Sequence, residues 1–230
     1  MSYTFTLTGT SSILSAEFFP PINLLDVGDD YSIGLLSFQS YNSIPNIIEG
    51  VNNLFHYGDN VISLPTGTYE VEAIARYLKS HINSADSLKL KGNTNTLKVE
   101  LTCTQPVYFN KEHSIGPLLG FTKHEVLEKM NTHKSDEIVQ IHSVNTVAIN
   151  CNIASGSYRN GKPGHTIYEF SPIVPPGFKI VQEPSPVIYF PVIGEVINNI
   201  SLVITDQNQN LVDFSGETIT IRLHLKKNGY

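Results

Sequence analysis

Strict alternation of apolar and polar side chains is the dominant pattern along this chain, and the closing stretch GETITIRLHLKK shows it most clearly. One set of alternate positions is apolar: Ile219, Ile221, Leu223 and Leu225. The other set is polar: Thr218, Thr220, Arg222, His224 and Lys226. Successive side chains of a β-strand point to opposite faces of a sheet, so this stretch predicts a strand with one buried face. The polar face must meet either water or another polar surface.

The same period of two predicts strands through most of the chain. The clearest hairpin is LKLKGNTNTLKVEL, in which two alternating arms flank a turn of glycine, asparagine and threonine. In VAINCNI, one face is apolar and includes Cys151, while the other carries Asn150 and Asn152. The predicted strands cover residues 3–8, 13–19 (with a stop at Pro20-Pro21), 31–40, 60–64, 88–101 as the hairpin, 147–153, 165–170, 186–191, 197–205 and 216–227.

One segment follows a helical period instead. In GTYEVEAIARYLKSHIN, the apolar residues recur at intervals of three and four: Val71, Ile74, Leu78 and Ile82. Thr68 is the predicted N-cap, and acidic residues in the first turn suit the helix dipole. The pattern predicts one α-helix near residues 69–82. A second, short helical turn is predicted near residues 122–129.

These elements together predict an all-β protein. Ten or more short strands with one inserted helix are typical of an antiparallel β-sandwich, and a single jelly roll is the natural candidate. The chain shows no internal repeat and no composition shift typical of a linker. We therefore expect residues 1–230 to form a single jelly-roll domain.

Charge and composition narrow the function classes. The net charge of −6 argues against a nucleic-acid groove, because phosphate binding requires a basic face. Two cysteines are too few for a disulfide framework. The start MSYTFTLTGTSS lacks the basic and apolar regions of a secretion signal, and no apolar run is long enough to span a membrane. The sequence predicts a soluble protein that binds neither membrane nor nucleic acid directly.

Two segments approach known ligand-binding motifs. GSYRNGKP has the spacing of a phosphate-binding loop, but Pro163 replaces the required Ser or Thr and a strand-like segment follows. We interpret it as a flexible connection between strands. DQNQNLVDFSGE places Asp206, Asn208, Asn210 and Glu217 where a calcium loop has ligands, but Leu211 replaces its glycine. A polar hairpin connection is the simpler interpretation.

The sequence does not organise a reaction. The eight histidines form no H-x-H or H-E-x-x-H pair, and no nucleophile elbow or catalytic cysteine signature is present. Cys151 alternates with the apolar face and is interpreted as a core residue. We expect no catalytic, cofactor-binding or metal-binding residues, no cofactor and no enzymatic activity.

Two aromatic segments, FFPP and LFHYG, allow two interpretations. Each is either an exposed contact patch or, as is more common for aromatic strand residues, part of the core.

Several stretches together resemble the minor capsid (penton) proteins of Polinton/Maverick elements and adintoviruses. The resemblance covers about residues 12–227 and rests on the order of six segments: ILSAEFFPPINL, YSIGLLSFQSYNSIPNI, ISLPTGTYEVEAIARYL, SIGPLLGF, HTIYEFSPIVPPGFKIVQEPSPVIYFPV and ITDQNQNLVDFSGETITIRLHLK. It implies a single jelly-roll fold and a role similar to that of the adenovirus penton base.

The resemblance also implies partners and a location. Five copies would surround each icosahedral vertex of a virion, next to trimers of a double jelly-roll major capsid protein. The family brings no catalytic residues to this sequence. The alternative is a host-domesticated copy, or a jelly-roll module that binds carbohydrate or protein. A calcium-lined pocket at residues 206–217 would favour that alternative.

Overall fold

The computed structural model describes residues 2–24, 30–83, 87–122, 126–141 and 144–228. These residues form 18 β-strands and one α-helix. The strands are β1 (Ser2–Gly9), β2 (Ile13–Asn23), β3 (Tyr31–Tyr41), β4 (Leu54–Tyr57), β5 (Asn60–Ser63), β6 (Leu88–Asn93), β7 (Lys98–Cys103), β8 (Val107–Tyr108), β9 (Val126–Leu127), β10 (Thr132–Lys134), β11 (Val147–Cys151), β12 (Ser157–Arg159), β13 (Lys162–Gly164), β14 (Thr166–Phe170), β15 (Lys179–Gln182), β16 (Phe190–Pro191), β17 (Val196–Thr205) and β18 (Ile219–Lys227). The helix is α1 (Val71–His81). The predicted all-β class with one inserted helix is confirmed.

The chain forms two compact units, and the first contains Met1–Ile44 and Val144–Tyr230. This unit has two large antiparallel sheets, β1-β18-β3-β15 with β16 added to β3, and β14-β11-β17-β2, and a separate two-stranded sheet, β12-β13. When the eight long strands of the unit are numbered in chain order, the two large sheets run 1-8-3-6 and 5-4-7-2. This is the strand order of a jelly roll, in which two Greek keys close into a sandwich. The predicted jelly-roll sandwich is confirmed.

The core of the first unit lies between its two large sheets. The four apolar residues of β18 named above are fully buried, and β11 contributes Ile149 and Cys151 from the opposite sheet. Phe38 joins the layers through tilted contacts, with its ring centroid 5.0 Å from that of Phe170 and 6.0 Å from that of Phe214. Alternation along each strand therefore buries one face against the other sheet, as in other sandwiches.

The second unit, Pro45–Ser143, is inserted between β3 and β11. It contains two antiparallel sheets, β5-β4-β8-β9 and β10-β7-β6, and helix α1 packs on β6. Its own core includes Phe55, Ile74, Leu78 and Leu101, all almost fully buried. Each unit has its own core, and the expectation that residues 1–230 form a single jelly-roll domain stays a prediction.

The helix matches the prediction except at its cap. Glu70 is the N-cap residue, with an extended backbone and no side-chain capping bond, so the prediction of Thr68 was wrong. The reason is the buried side chain of Asn46. Its amide accepts a hydrogen bond from the Tyr69 N–H and donates one to the Tyr69 carbonyl oxygen, at 2.9 and 2.7 Å. These bonds hold the chain extended until Glu70, where the helix begins.

Strand β2 continues past the predicted stop at Pro20-Pro21 and ends at Asn23. The pairing of β2 with β17 shifts between Glu17 and Ile22, so the two prolines lie in a bulge. β2 is also an edge strand. Proline has no N–H to donate, and a bulge on an edge strand is where that loss costs no ladder hydrogen bond.

Other predicted elements differ from the structure in their bounds or in their type. Only Phe190–Pro191 of the predicted strand 186–191 pairs with a neighbour, and β18 begins at Ile219 because Ser215 and Gly216 form a turn with positive φ. Of the helical turn predicted at 122–129, residues 123–125 lie outside the described residues. Val126–Leu127 form strand β9, so the helical prediction was wrong there.

Candidate assembly surface

The polar face of β18 is partly covered by the chain's own segment before β16. The hydroxyl of Tyr189 lies 2.8 Å from Nδ1 of His224, and Nζ of Lys226 lies 3.8 Å from the centroid of the Tyr189 ring. Such a cation–π contact is worth about 0.5–1 kcal/mol at a partly exposed site. On the half of the face that carries His224 and Lys226, the polar side chains therefore contact another segment of the same chain.

Gly34 on β3 makes this covering possible. It lies opposite His224 in the sheet. A Cβ at Gly34 would lie 2.7 Å from the carbonyl oxygen of Ile188 and 2.7 Å from Cγ1 of Val187. The segment before β16 therefore crosses β3 in direct backbone contact, which only glycine permits at this position.

The other half of this outer face carries hydroxyl, amide and basic side chains, including Lys179, whose Nζ donates to Gln39 Oε1 at 2.9 Å. Thr4, Thr6 and Thr8 form an exposed row on β1, and Arg222 is exposed beside them on β18. The hydroxyls of Thr8 and Thr220 lie 3.3 Å apart across the two strands. The threonine row offers hydroxyl groups for hydrogen bonding.

The outer face of the second sheet carries a network of amides. Asn152 Nδ2 donates to Asn199 Oδ1 at 3.0 Å, and its Oδ1 accepts from the Ser201 N–H at 2.8 Å. Asn150 Nδ2 donates to the Val203 carbonyl, and its Oδ1 accepts from the Thr166 hydroxyl at 2.7 Å. These contacts engage the side-chain amides of Asn150, Asn152 and Asn199 within the sheet region.

The segment GSYRNGKP is a tight hairpin. β12 and β13 pair around Asn160 and Gly161, whose φ values are 50° and 77°. Asn-Gly with both residues at positive φ is the preferred two-residue hairpin turn. No helix follows Lys162, so the geometry does not form a phosphate-binding loop. The interpretation as a connection between strands is confirmed. The connection is not a flexible loop, because its two arms pair as β12 and β13.

Two hydrogen bonds hold this hairpin against the rest of the first unit. At its base, the Ser155 N–H donates to the Pro191 carbonyl oxygen at 2.9 Å. Nearer its turn, Arg159 Nη2 donates to the Gln207 carbonyl oxygen at 2.6 Å. Its solvent face pairs Tyr158, which is 74% exposed, with the exposed Pro163. The hairpin thus presents an aromatic ring to solvent from an ordered backbone.

The bulge in β2 presents a second exposed aromatic residue. Phe19 is fully exposed, with a relative accessibility of 101%, while its neighbour Phe18 packs against the core. A shallow depression surrounds the bulge, lined by Glu17, Phe18, Phe19, Pro21, Asn198 and Asn199. Of the two aromatic segments, LFHYG contributes the buried Phe55 and Tyr57, whereas FFPP is exposed at Phe19.

Other large apolar side chains are also exposed on each unit. In the first unit, the loop after β14 exposes Ile173 and Phe178 while Asn42 Nδ2 fastens it through a 2.6 Å bond to the Val174 carbonyl oxygen. In the second unit, the exposed apolar residues are Ile48, Val51, Val61, Leu97, Val126, Met130 and Ile138. Single exposed apolar side chains are normal on protein surfaces, so these residues do not by themselves mark a contact surface.

Three of the four residues with calcium-loop spacing, Asp206, Asn208 and Asn210, form a self-contained turn. Asp206 Oδ1 accepts hydrogen bonds from the N–H groups of Asn208 and Asn210, each at 2.8 Å, and its Oδ2 accepts from Asn210 Nδ2 at 3.2 Å. Asn and Asp side chains commonly stabilise turns in this way. The carboxylate is therefore engaged by its own loop between β17 and β18, as expected of a polar hairpin connection.

The described residues do not bring reactive groups together. Within the ranges given above, no group of three or more His, Cys, Asp or Glu side chains has the geometry of a metal site. Cys151 is fully buried, as predicted, and its burial raises the pKa of the thiol to about 11. A thiol with a raised pKa is a poor nucleophile at neutral pH. In the described part of the chain, no helix has the length and apolarity needed to cross a membrane.

Comparison with known proteins finds similarity at the level of structure. No protein-family model matches the chain, and no curated protein matches it by sequence. Among solved structures, the chain is similar to the crystal structure of the mavirus penton protein, with a TM-score of 0.51 and 11% sequence identity. The similarity covers 99% of this chain and 100% of that one. The chain therefore has the fold of a viral penton protein over nearly its whole length.

Proposed function

We propose that this chain is a penton-like minor capsid protein that forms pentamers at the icosahedral vertices of a viral or Polinton-type virion. The observation that carries the proposal is the full-length structural similarity to the mavirus penton protein. That similarity includes the inserted unit Pro45–Ser143 as well as the jelly roll, since it covers 99% of the chain. Under this proposal, residues 1–230 act as one capsid domain.

The mechanism is geometric. A heterologous contact, in which one surface binds a different surface on the next copy, closes a ring when each step rotates by one fifth of a turn. Such a contact requires two separate surfaces on the chain. The exposed aromatic residues Phe19 and Tyr158 lie on different elements, the β2 bulge and the β12–β13 hairpin. They supply apolar area of the kind found at the centre of protein interfaces.

The proposed partners are further copies of the chain and a double jelly-roll major capsid protein, and the proposed location is the virion. Contact with nucleic acid is not part of this function, given the net charge of −6. We propose no enzymatic role. In the loop with calcium-like spacing, the Asp206 carboxylate accepts hydrogen bonds from backbone N–H groups of the same loop.

The same hydrogen bonds weigh against the alternative of a calcium-dependent carbohydrate-binding module. A calcium ion would have to displace three donors from the Asp206 carboxylate. A calcium-independent contact with another protein remains compatible with a capsid role, since capsid assembly is itself protein binding.

Negative-stain images of purified protein, with and without a double jelly-roll major capsid protein from the same genome, test the proposal. We expect rings with fivefold symmetry, and incorporation at vertices when the major capsid protein assembles. Particles of single-chain size only, with no response to the major capsid protein, would contradict it.

A further inference from the structure

We infer that the β12–β13 hairpin of one copy docks against the Phe19 depression of the next copy. This inference rests on the proposed function, because it names the surfaces through which the ring closes. Two surfaces are involved: the hairpin surface, Tyr158, Lys162 and Pro163, and the bulge surface, Glu17, Phe19 and Pro21.

The first argument is placement within the first unit. The four-stranded sheet has the order β14-β11-β17-β2. The hairpin surface packs beside β14, at one edge, and the bulge surface lies on β2, at the other. A head-to-tail ring requires its two contact surfaces on different sides of each copy, so that every copy receives one neighbour and offers itself to the next. Opposite edges of one sheet satisfy this requirement.

The second argument is chemical complementarity. The hairpin segment GSYRNGKPG contains two basic residues, Arg159 and Lys162, and no carboxylate. The residues lining the depression include Glu17 and no basic group. Each surface also contains an exposed aromatic ring beside a proline: Tyr158 with Pro163, and Phe19 with Pro21. An aromatic pair with a flanking opposite-charge pair is the composition expected of an interface centre and rim.

The third argument is preorganisation. Arg159 and Ser155 hold the hairpin through hydrogen bonds to the Gln207 and Pro191 carbonyl oxygens. The bulge is held in place by Phe18, the neighbour of Phe19, which packs against the core. The ring centroids of Phe18 and Phe5 are 5.4 Å apart. Surfaces that are already ordered lose less conformational entropy on binding.

The prolines of β2 also decide the kind of contact. An unprotected edge strand tends to add a strand from another chain through backbone hydrogen bonds. Pro20 and Pro21 have no N–H, and they lie in the bulge of this edge. We therefore infer that neighbours meet here through side chains, with aromatic contacts at the centre, and that the sheet does not continue from copy to copy.

Sedimentation of single variants tests these surfaces. Phe19→Ser and Tyr158→Ser each remove a ring that is mainly in solvent, so the folded chain should keep its melting temperature. We expect each to raise the dissociation constant of the ring by at least about tenfold, as truncation of an interface anchor does. Ile173→Ser is the matched control, because Ile173 is 87% exposed on another loop of the same unit; it should leave assembly unchanged.

Charge reversal gives a test that a purely structural role would not pass. Glu17→Lys and Lys162→Glu should each weaken the ring, and the double variant should recover most of the loss because every copy then carries the reversed pair. Lys89→Glu is the control for the change in net charge, because the side chain of Lys89 on β6 is exposed. Absence of recovery in a folded double variant would overturn the inferred pairing.

Mixing two variants tests the head-to-tail arrangement itself. Phe19→Ser copies retain an intact hairpin surface, and Tyr158→Ser copies retain an intact bulge surface. An equimolar mixture should form two-chain complexes and no rings, and a mixture that stays monomeric would overturn the inference. If wild-type rings form and both serine variants form them equally well, the inference is wrong and the proposed function stands. If wild-type protein forms no rings, either alone or with the major capsid protein, both are wrong.

Discussion

The hydroxyl of Tyr189 lies 2.8 Å from Nδ1 of His224, and this contact fastens a non-strand segment across the outer face of the sheet that contains the last strand. Lys226 reinforces it by placing Nζ 3.8 Å from the centre of the same ring. The polar half of the alternating C-terminal pattern is therefore partly a packing surface for the jelly roll itself. The part of the face around Tyr189 is therefore not available to neighbouring molecules, whereas Thr4, Thr6, Thr8 and Arg222 are exposed.

Tyr189→Phe should lower the free energy of unfolding by about 1 kcal/mol, because it removes one hydrogen bond and keeps the ring. Tyr189→Leu should cost about 1 kcal/mol more, because it also removes the cation–π contact with Lys226. Urea unfolding followed by circular dichroism measures both changes. Tyr41→Phe, at an exposed position on β3, is the control and should have no measurable effect. Equal stability of Tyr189→Leu and wild type would show that the contact contributes nothing.

Gly34→Ala should destabilise the first unit by about 1–3 kcal/mol, the usual cost of overpacking. The added Cβ would lie 2.7 Å from the Ile188 carbonyl oxygen, which cannot move without shifting the covering segment. Gly92→Ala on β6 is the matched control, since its Cβ would meet nothing closer than 3.9 Å. Thermal unfolding of the two variants should separate them clearly. A Gly34→Ala protein as stable as Gly92→Ala would contradict the close crossing over β3.

Cys151 should be chemically silent in the folded protein. Burial raises the pKa of its thiol from 9.0 to about 11, so only about one thiol in a thousand is ionised at pH 8. In a Cys103→Ala background, iodoacetamide should label Cys151 only when urea unfolds the chain. Rapid labelling under native conditions would contradict its burial.

The same thiol predicts how stability changes at alkaline pH. The folded thiol has the higher pKa, so its contribution to stability is present below the unfolded value of about 9.0 and is lost as the pH rises through about 11. Cys151→Ala should remove this part of the decline. Unfolding curves at pH 8 and pH 11 measure the difference, and an unchanged decline in the variant would assign it to other groups.

Calcium should leave the melting temperature unchanged, because the Asp206 carboxylate already accepts three hydrogen bonds from its own loop. Asp206→Ala should instead destabilise the protein by about 1–3 kcal/mol, since two backbone N–H groups lose their acceptor. Glu217→Ala, at the exposed last position of the calcium-like spacing, should have no effect. A calcium-dependent rise in melting temperature that Glu217→Ala abolishes would revive the calcium-binding alternative.

The sequence predicted the strands whose burial alternates and missed features that depend on pairing between distant segments. The apolar face of β18 and the burial of Cys151 follow from period two alone, and both are confirmed. The insertion at residues 45–143 left no signal, because neither of its ends shows a composition shift typical of a linker. Its boundaries arise from which strands pair, and that pairing is set by long-range contacts.

At single residues, signals from the local sequence were overridden by contacts with distant segments. Pro20-Pro21 is a valid stop signal in isolation, yet the edge bulge of β2 accommodates both prolines. Thr68 is a good cap by type, but Asn46, distant in sequence, holds the chain extended past it. Asn160-Gly161 is itself a hairpin signal in the sequence, and it overlaps the residues that have phosphate-loop spacing. Exposure of Phe19 could not be separated from burial by pattern, since both fit an aromatic strand.

The mass of the purified wild-type chain in solution, measured by light scattering over a range of concentrations, tests the central claim most directly. The account predicts a closed ring of five 25.5 kDa chains, about 128 kDa, that persists on dilution into the micromolar range. A mass of 25.5 kDa at every concentration, including the highest attainable, would contradict it.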